Sequence, residues 1–229
     1  METYLVYLGI GVLMGLFGGL LGIGGSVVMI PALTLIYGEN QHLYQAAAMI
    51  CNFFVAASAF FAHHREKMVV GKVLKWMIWP AVGGRIAGVA LSNLSVFQGA
   101  NSRYLANLFG AFMVFVAGYN IVRFFRKQRG GVDGLDITDT KISSLRSIVC
   151  GASTGVPAGL LGLGGGTICV PVQQYWMHMP LKRAVANSAA TITVTAIFGA
   201  FYKNITLYQH DISPLTSLTI AAFAIPGSI

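Results

Sequence analysis

The sequence predicts an all-α polytopic integral membrane protein made of two homologous repeats, and three observations carry that prediction. First, 55% of the 229 residues are hydrophobic and only 10% are charged, against roughly a quarter charged in a soluble domain. Fifteen basic and seven acidic side chains cannot furnish a water-facing shell for a chain of this length. Second, the mean hydropathy is +0.70 and the apolar residues fall in long runs. At roughly 20 residues per helical span the chain has room for about eight spans. Third, a glycine-rich motif occurs twice.

Taken in order, the apolar segments run approximately 3–17, 26–37, 44–62, 73–95, 104–125, 146–161, 167–177, 184–202 and 213–229. Helix is the expected state of each, because lipid leaves unpaired backbone groups without solvent. The start, METYLVYLGIGVLMGLFGG, lacks a basic n-region and a small-residue cleavage site, so it reads as a retained span. The stretch 2–37 is too long for one straight crossing and has glycines at its middle. It is either a kinked span or a hairpin that returns to its starting side. The polar stretch from Arg126 to Ser144 divides the chain into a first repeat over 1–126, a cytoplasmic linker over 127–145 and a second repeat over 146–229.

The repeat itself is read from GLLGIGGSVVMIP at 19–31 and GLLGLGGGTICVP at 159–171. At an offset of 140 the glycines, the paired leucines and the terminal proline coincide. A weaker match at offset 138 sets QAAAMI against RAVANS, and a third sets Gly83 against Gly227. From Gly19 to Arg126 the first repeat has 108 residues, whereas Gly159 to Ile229 has 71. The expectation is therefore a second repeat that lacks its last span.

Lys and Arg set the expected orientation. The 63–75 loop holds Arg65, Lys67, Lys72 and Lys75, and the stretch 123–146 around the linker holds Arg123, Arg126, Lys127, Arg129, Lys141 and Arg146, so both should be cytoplasmic. If each glycine-rich segment is a hairpin, Lys182 and Arg183 join them, giving twelve inside against Arg103 and Lys203 outside. Single crossings give eleven against three. The first arrangement makes the repeats inverted and the second makes them parallel.

Chemistry is expected where the helices break. Glycines at 18, 19, 22, 24 and 25, and at 159, 162, 164, 165 and 166, are too dense for a continuous helix, since each costs about 1 kcal/mol against alanine. The helices that resume at Ser26 and Thr167 would present free N–H groups and a positive dipole end, a ready anion site. Isolated pairs such as Gly11/Gly15 and Gly84/Gly88 read instead as helix-packing positions. Arg85 is the one charge well inside an apolar segment: its guanidinium suits an oxyanion, or alternatively it snorkels to an interface or pairs with backbone carbonyls. Asn52, Asn187 and Ser188 are candidate donors, or alternatively interhelical hydrogen bonds. The seven acidic residues lie at segment ends or in loops, which disfavours a carboxylate-based cation pump.

Other features exclude function classes. The basic residues are scattered between apolar runs, which argues against nucleic acid as a partner. Cys51, Cys150 and Cys169 lack metal-ligand or disulfide-framework spacing and read as small buried side chains. His63 and His64, beside Arg65, read as a helix end. Trp76, Trp79 and Tyr104 read as interfacial anchors. No HExxH, GxSxG or P-loop lysine is present, so nothing motivates an enzyme, a metal or a cofactor.

The paired GGLLGIGGS…P and AGLLGLGGGT…P motifs, RAVANSAAT after the second, and the His-Arg loop resemble the TauE/SafE family of sulfite exporters. The resemblance covers essentially the whole chain. It implies a bacterial inner-membrane, multi-pass carrier moving sulfite, sulfonates or related sulfur-containing anions outward by alternating access, with the lipid bilayer and a small anion as partners. Met49-Ile50 stands where the second half has Asn187-Ser188, so a symmetric polar pair is absent. The expected substrate-binding set is Gly22, Gly24, Gly25, Ser26, Asn52, Arg85, Gly162, Gly164, Gly165, Gly166, Thr167, Asn187 and Ser188. A carrier of another small organic anion and a non-transporting membrane subunit remain as alternatives.

Overall fold

The computed structural model describes residues 2–19, 24–97, 102–127, 143–207 and 213–228. Every regular element among them is helical: α1 (Glu2–Met14), α2 (Ser26–Tyr37), α3 (Gln41–Arg65), α4 (Gly71–Ser92), α5 (Ser102–Lys127), α6 (Ser144–Leu161), α7 (Gly166–Trp176), α8 (Leu181–Thr206) and α9 (Pro214–Ser228). A π-helical turn, Gly15–Gly19, extends α1 into the first glycine cluster. Two of these helices, α3 and α8, are by length and composition long and apolar enough to cross a membrane. Most of the linker read from the sequence, 128–142, lies outside the described residues, as do Gly22 and Asp211.

Each glycine cluster turns the chain back on itself. The rings of Tyr7 in α1 and Tyr37 at the end of α2 lie 5.6 Å apart, so these two helices form a hairpin. In the second half Arg146 Nη1, near the start of α6, donates to the Trp176 carbonyl at the end of α7 at 3.3 Å. That pair is a hairpin too. Of the two forms open from sequence, the structure has the returning one in both halves.

The hairpins open toward opposite ends of the bundle. The open end of α6–α7 packs with the starts of α4 and α8 in a cluster holding Val73, Met77, Cys150, Met177, Met179 and Ala184. At the far end of α8, Lys203 meets His42 at the start of α3 and Ser92 at the end of α4. The open end of α1–α2 leads within three residues into α3. Helices α3 and α8 are therefore antiparallel and form the centre, with Ala56, Ile192 and Ala196 buried between them.

Small residues decide which helices touch. A Cβ added at Gly155 or Gly159 of α6 would run into the backbone of Ala81 or Arg85, so α6 lies directly on α4 in parallel register. Gly84 and Gly88 supply the reciprocal gaps in α4. Gly11 and Gly15 do the same for α1 against Ala224 and Ser228 of α9. Close backbone approach of this kind replaces the hydrophobic drive that lipid removes. Gly83 and Gly227 are not counterparts, contrary to the weak sequence match. Nothing lies within 4 Å of a Cβ at Gly83, whereas one at Gly227 would press on Leu8 and Val12.

The outer surface carries what a soluble protein would bury. Leu35, Trp79, Val114, Phe115, Tyr175 and Phe201 are each more than two-thirds exposed. Such a broad apolar exterior marks a membrane or partner surface. Trp76 and Tyr104 are also exposed, as interfacial anchors require.

Candidate functional site

The two hairpin tips meet inside the bundle. Gly24 has φ +83° and an added Cβ there would stand 2.8 Å from the Cα of Gly164, so both chains need to lack side chains at this contact. Gly164 N–H donates to Ser26 Oγ at 3.0 Å. The Ser26 N–H, in the first turn of α2, donates to Asn52 Oδ1 of α3 at 3.1 Å. Gly162 and Gly165 also have positive φ, a conformation that favours glycine. They turn the chain from α6 into α7, whose first turn is Gly166 and Thr167. Two helix N-termini, each the positive end of a dipole, are thereby aimed at one region.

Side chains of the first half hold the second break in place. Gln45 Nε2 donates to the Leu160 carbonyl at 3.2 Å. Arg85, fully buried, donates from Nη2 to the Leu163 carbonyl at 3.3 Å and from Nη1 to Thr195 Oγ1 at 3.2 Å. Its guanidinium fits because α8 has Gly199 there: an added Cβ would overlap Arg85 Nε and stand 2.9 Å from Cδ. Pro171, the sixth residue of α7, has no N–H to offer the carbonyl of Thr167.

Unsatisfied polar atoms concentrate here. Among the described residues six buried side-chain polar atoms lack a hydrogen-bond partner, and three of them, Asn52 Nδ2, Arg85 Nε and Gln45 Oε1, belong to residues bonded to the tips. Buried polar groups are paired in nearly all cases, so these three mark a place where a polar visitor can be met, whereas Thr167 lines the outer groove beside Phe115 and Tyr119. The adjoining cavity is lined by Thr154, Gly164, Gly165, Cys169, Thr191 and Thr195 and measures about 10 Å³. That is close to the least volume that admits one water, so the tips are closed upon each other. Glu39 and Glu66 are exposed, and among the described residues no carboxylate lines the cavity.

The structure brings Gly24, Gly25, Ser26, Asn52, Arg85, Gly162, Gly164, Gly165, Gly166 and Thr167 of the expected set to the tips. It places Asn187 elsewhere. Asn187 Oδ1 accepts from the Val70 N–H at 2.8 Å and Nδ2 donates to Gln173 Oε1 at 3.4 Å, which ties α8 to the α3–α4 turn. Ser188, next to Asn187 in α8, is fully buried. Sequence reasoning missed Gln45, Thr191 and Thr195. The i, i+4 spacing of Thr191 and Thr195 on one face of α8 was the available signal.

It also missed a second buried cation. Arg85 is not alone: Lys203 is equally buried, because α8 continues past its apolar core to Thr206. Its Nζ reaches His42 Nδ1 at 2.9 Å, Ser92 Oγ at 2.8 Å and Asn93 Oδ1 at 3.1 Å. His42 Nε2 faces the Phe97 carbonyl at 2.9 Å. A carbonyl only accepts, so Nε2 carries the proton and Nδ1 is left to accept from Lys203.

With glycine-broken hairpins, a buried guanidinium and an apolar exterior in hand, comparison with known proteins decides the family. The pattern of the family described as Sulfite exporter TauE/SafE matches residues 7–229. The chain belongs to that family. It is 24% identical to the probable membrane transporter protein MamO of Paramagnetospirillum magneticum, an alignment covering 93% of this chain and 37% of that one. It is 28% identical to a probable membrane transporter protein of Methanocaldococcus jannaschii, over 83% of this chain and 68% of that one. With the probable membrane transporter protein YunE of Bacillus subtilis the identity is 24%, over 99% of this chain and 85% of the relative. The chain thus spans well under half the length of MamO and most of YunE. No solved structure matches. The family and the names of these relatives indicate a helical membrane transporter protein.

Proposed function

We propose that this TauE/SafE member is a secondary carrier that exports sulfite, a sulfonate or a related small sulfur-containing anion by alternating access. The observation that carries the reading is the meeting of two helix N-termini beside the buried Arg85, with the unpaired Asn52 Nδ2, Arg85 Nε and Gln45 Oε1 around them. Positive dipole ends, a guanidinium and neutral hydrogen-bond donors favour an anion. The family's description supplies the sulfur oxyanion. In the proposed cycle the anion takes over the bonds that Arg85 now makes to the Leu163 carbonyl and Thr195, while Ser26, Asn52 and Thr167 contact its remaining oxygens. Asn187 acts at one remove, through Gln173, and Ser188 with it.

In this reading the halves are inverted repeats, supported by hairpins that open to opposite ends and by the matching pairs α4 with α6 and α9 with α1. The basic 63–75 loop, the linker, Lys182 and Arg183 then face the cytoplasm of a bacterial inner membrane. Each hairpin tip reaches the contact from its own side, so parting the tips toward one end while closing the other alternates access. An outward-moving anion gains about 2.3 kcal/mol per charge per 100 mV, inside negative, so no coupling carboxylate is required. The test is counterflow of labelled sulfite in proteoliposomes of the full chain. Saturable exchange that other sulfur oxyanions compete with is expected; absence of exchange with any sulfur oxyanion overturns the substrate assignment.

A further inference from the structure

Five sulfur atoms gather at the open end of the α6–α7 hairpin. Met77 of α4, Cys150 of α6, Cys169 of α7, and Met177 and Met179 of the α7–α8 turn share one buried cluster of nine residues. All five side chains are almost fully shielded. Cys150 and Cys169 come from the two arms of the hairpin and share this cluster. Gln173 Nε2 donates to Cys169 Sγ at 2.9 Å, and Asn187 Nδ2 donates to Met179 Sδ at 3.4 Å. Gln173 and Asn187 are themselves joined. Two sulfurs are thus oriented by a shared amide relay, the arrangement by which outer side chains fix metal ligands.

The turn that supplies the thioethers is built to face them inward. In Met177-His178-Met179 both methionines are buried and the histidine is exposed, although consecutive residues would ordinarily alternate over a range of faces. The device is His178, whose φ is +52°. A non-glycine residue in that region is costly, and here it lets both flanking sulfurs face the cluster while the imidazole stays at its mouth.

We propose that Cys150 and Cys169, with thioether ligation from Met77, Met177 and Met179, form a buried site for a monovalent soft metal ion, Cu(I) or Ag(I). Thiolate and thioether donors select such ions over zinc, magnesium or calcium. Among the described residues no group of three His, Cys, Asp or Glu gathers, so the two thiols need the neighbouring thioethers to complete a shell. Binding is written Cu⁺ + 2 R–SH → [Cu(SR)₂]⁻ + 2 H⁺. Each S–H pair becomes a Cu–S bond, two protons leave, and no electron changes hands. The amide donor on Cys169, from Gln173, offsets part of the negative charge the complex acquires. His178 at the surface is the entry ligand. An ion held there would tie α4, α6, α7 and the α7–α8 turn together.

The test is anaerobic titration of the purified full chain in detergent with Cu(I) buffered by bathocuproine disulfonate, and with Ag(I), following metal and proton release together. One Cu(I) per chain and two protons per metal are expected, with a first shell of sulfur by X-ray absorption. Cys150→Ser and Cys169→Ser should each weaken binding at least a hundredfold, and the Met77→Leu/Met179→Leu double variant about tenfold. Cys51→Ser should bind as wild type. Should a cysteine variant fail to fold, the methionine variants, which keep both thiols and the apolar volume, carry the test. Wild-type affinity in either thiol variant, binding that follows Cys51, or unchanged affinity in the double methionine variant overturns the site.

Discussion

Arg85 and Lys203 are both fully buried cations, yet their surroundings differ in a way that separates a working charge from a fastening one. Lys203 has three N–H groups and three acceptors, contributed by α3, α4 and the residue after α4, at 2.8–3.1 Å. Nothing is left for a ligand. Arg85 makes two long bonds, one of them to a carbonyl of an irregular segment, and its Nε has no partner. A cation that is fully engaged holds helices together. One that is incompletely engaged beside two helix N-termini can exchange its partners for an anion's oxygens.

Substitutions can break this distinction or sharpen it. The largest effect is expected for Arg85→Gln, which removes charge-assisted bonds worth about 1.5–3 kcal/mol each. Flux in proteoliposomes should fall roughly a hundredfold or more, with little change in the yield of monodisperse protein. Unchanged flux would remove Arg85 from the pathway and leave the two cations alike. Next is Lys203→Met, which strands the acceptors on His42, Ser92 and Asn93. Thermal or denaturant unfolding in detergent should register a loss of about 2 kcal/mol, while flux per folded molecule stays within about twofold. A large flux defect without a stability defect would make Lys203 part of the site. The smallest effect is expected for Gly199→Ala, whose methyl displaces the guanidinium without touching its charge. About a tenfold rise in the half-saturating anion concentration is expected, against a simple loss of folded yield if Gly199 serves packing alone.

How much of this was legible in the sequence depends on distance along the chain. The helix breaks were legible because glycine density and the repeated motif are local signals, but the choice between a kinked span and a hairpin was not, since it depends on where the far ends of α2 and α7 return. The packing roles of Gly11, Gly15, Gly84 and Gly88 were legible too, since close helix approach has a short-range signature. Arg85 stood out because it interrupts an apolar run. Lys203 did not, because it lies just past one, where hydropathy reads a helix end; its burial depends on His42, 161 residues away. Asn187 read as a substrate donor for the same reason in reverse. Its carbonyl oxygen is taken by Val70, 117 residues distant, and nothing in the RAVANSAAT stretch announces that partner. Whether α9 would pack on α1, or α6 on α4, likewise followed from three-dimensional register that no single segment encodes.

The contact between Gly24 and Gly164 also sets a schedule for biosynthesis. The two residues are 140 positions apart, so at about 5–20 residues per second the second tip emerges roughly 7–28 s after the first. Throughout that interval the Gly164 N–H that Ser26 accepts, the Leu160 carbonyl that Gln45 serves and the Leu163 carbonyl that Arg85 serves do not yet exist. The first hairpin must therefore wait in the bilayer with its polar tip uncommitted. The half-made protein is the stage at which a membrane chaperone or quality-control protease has the most to grip.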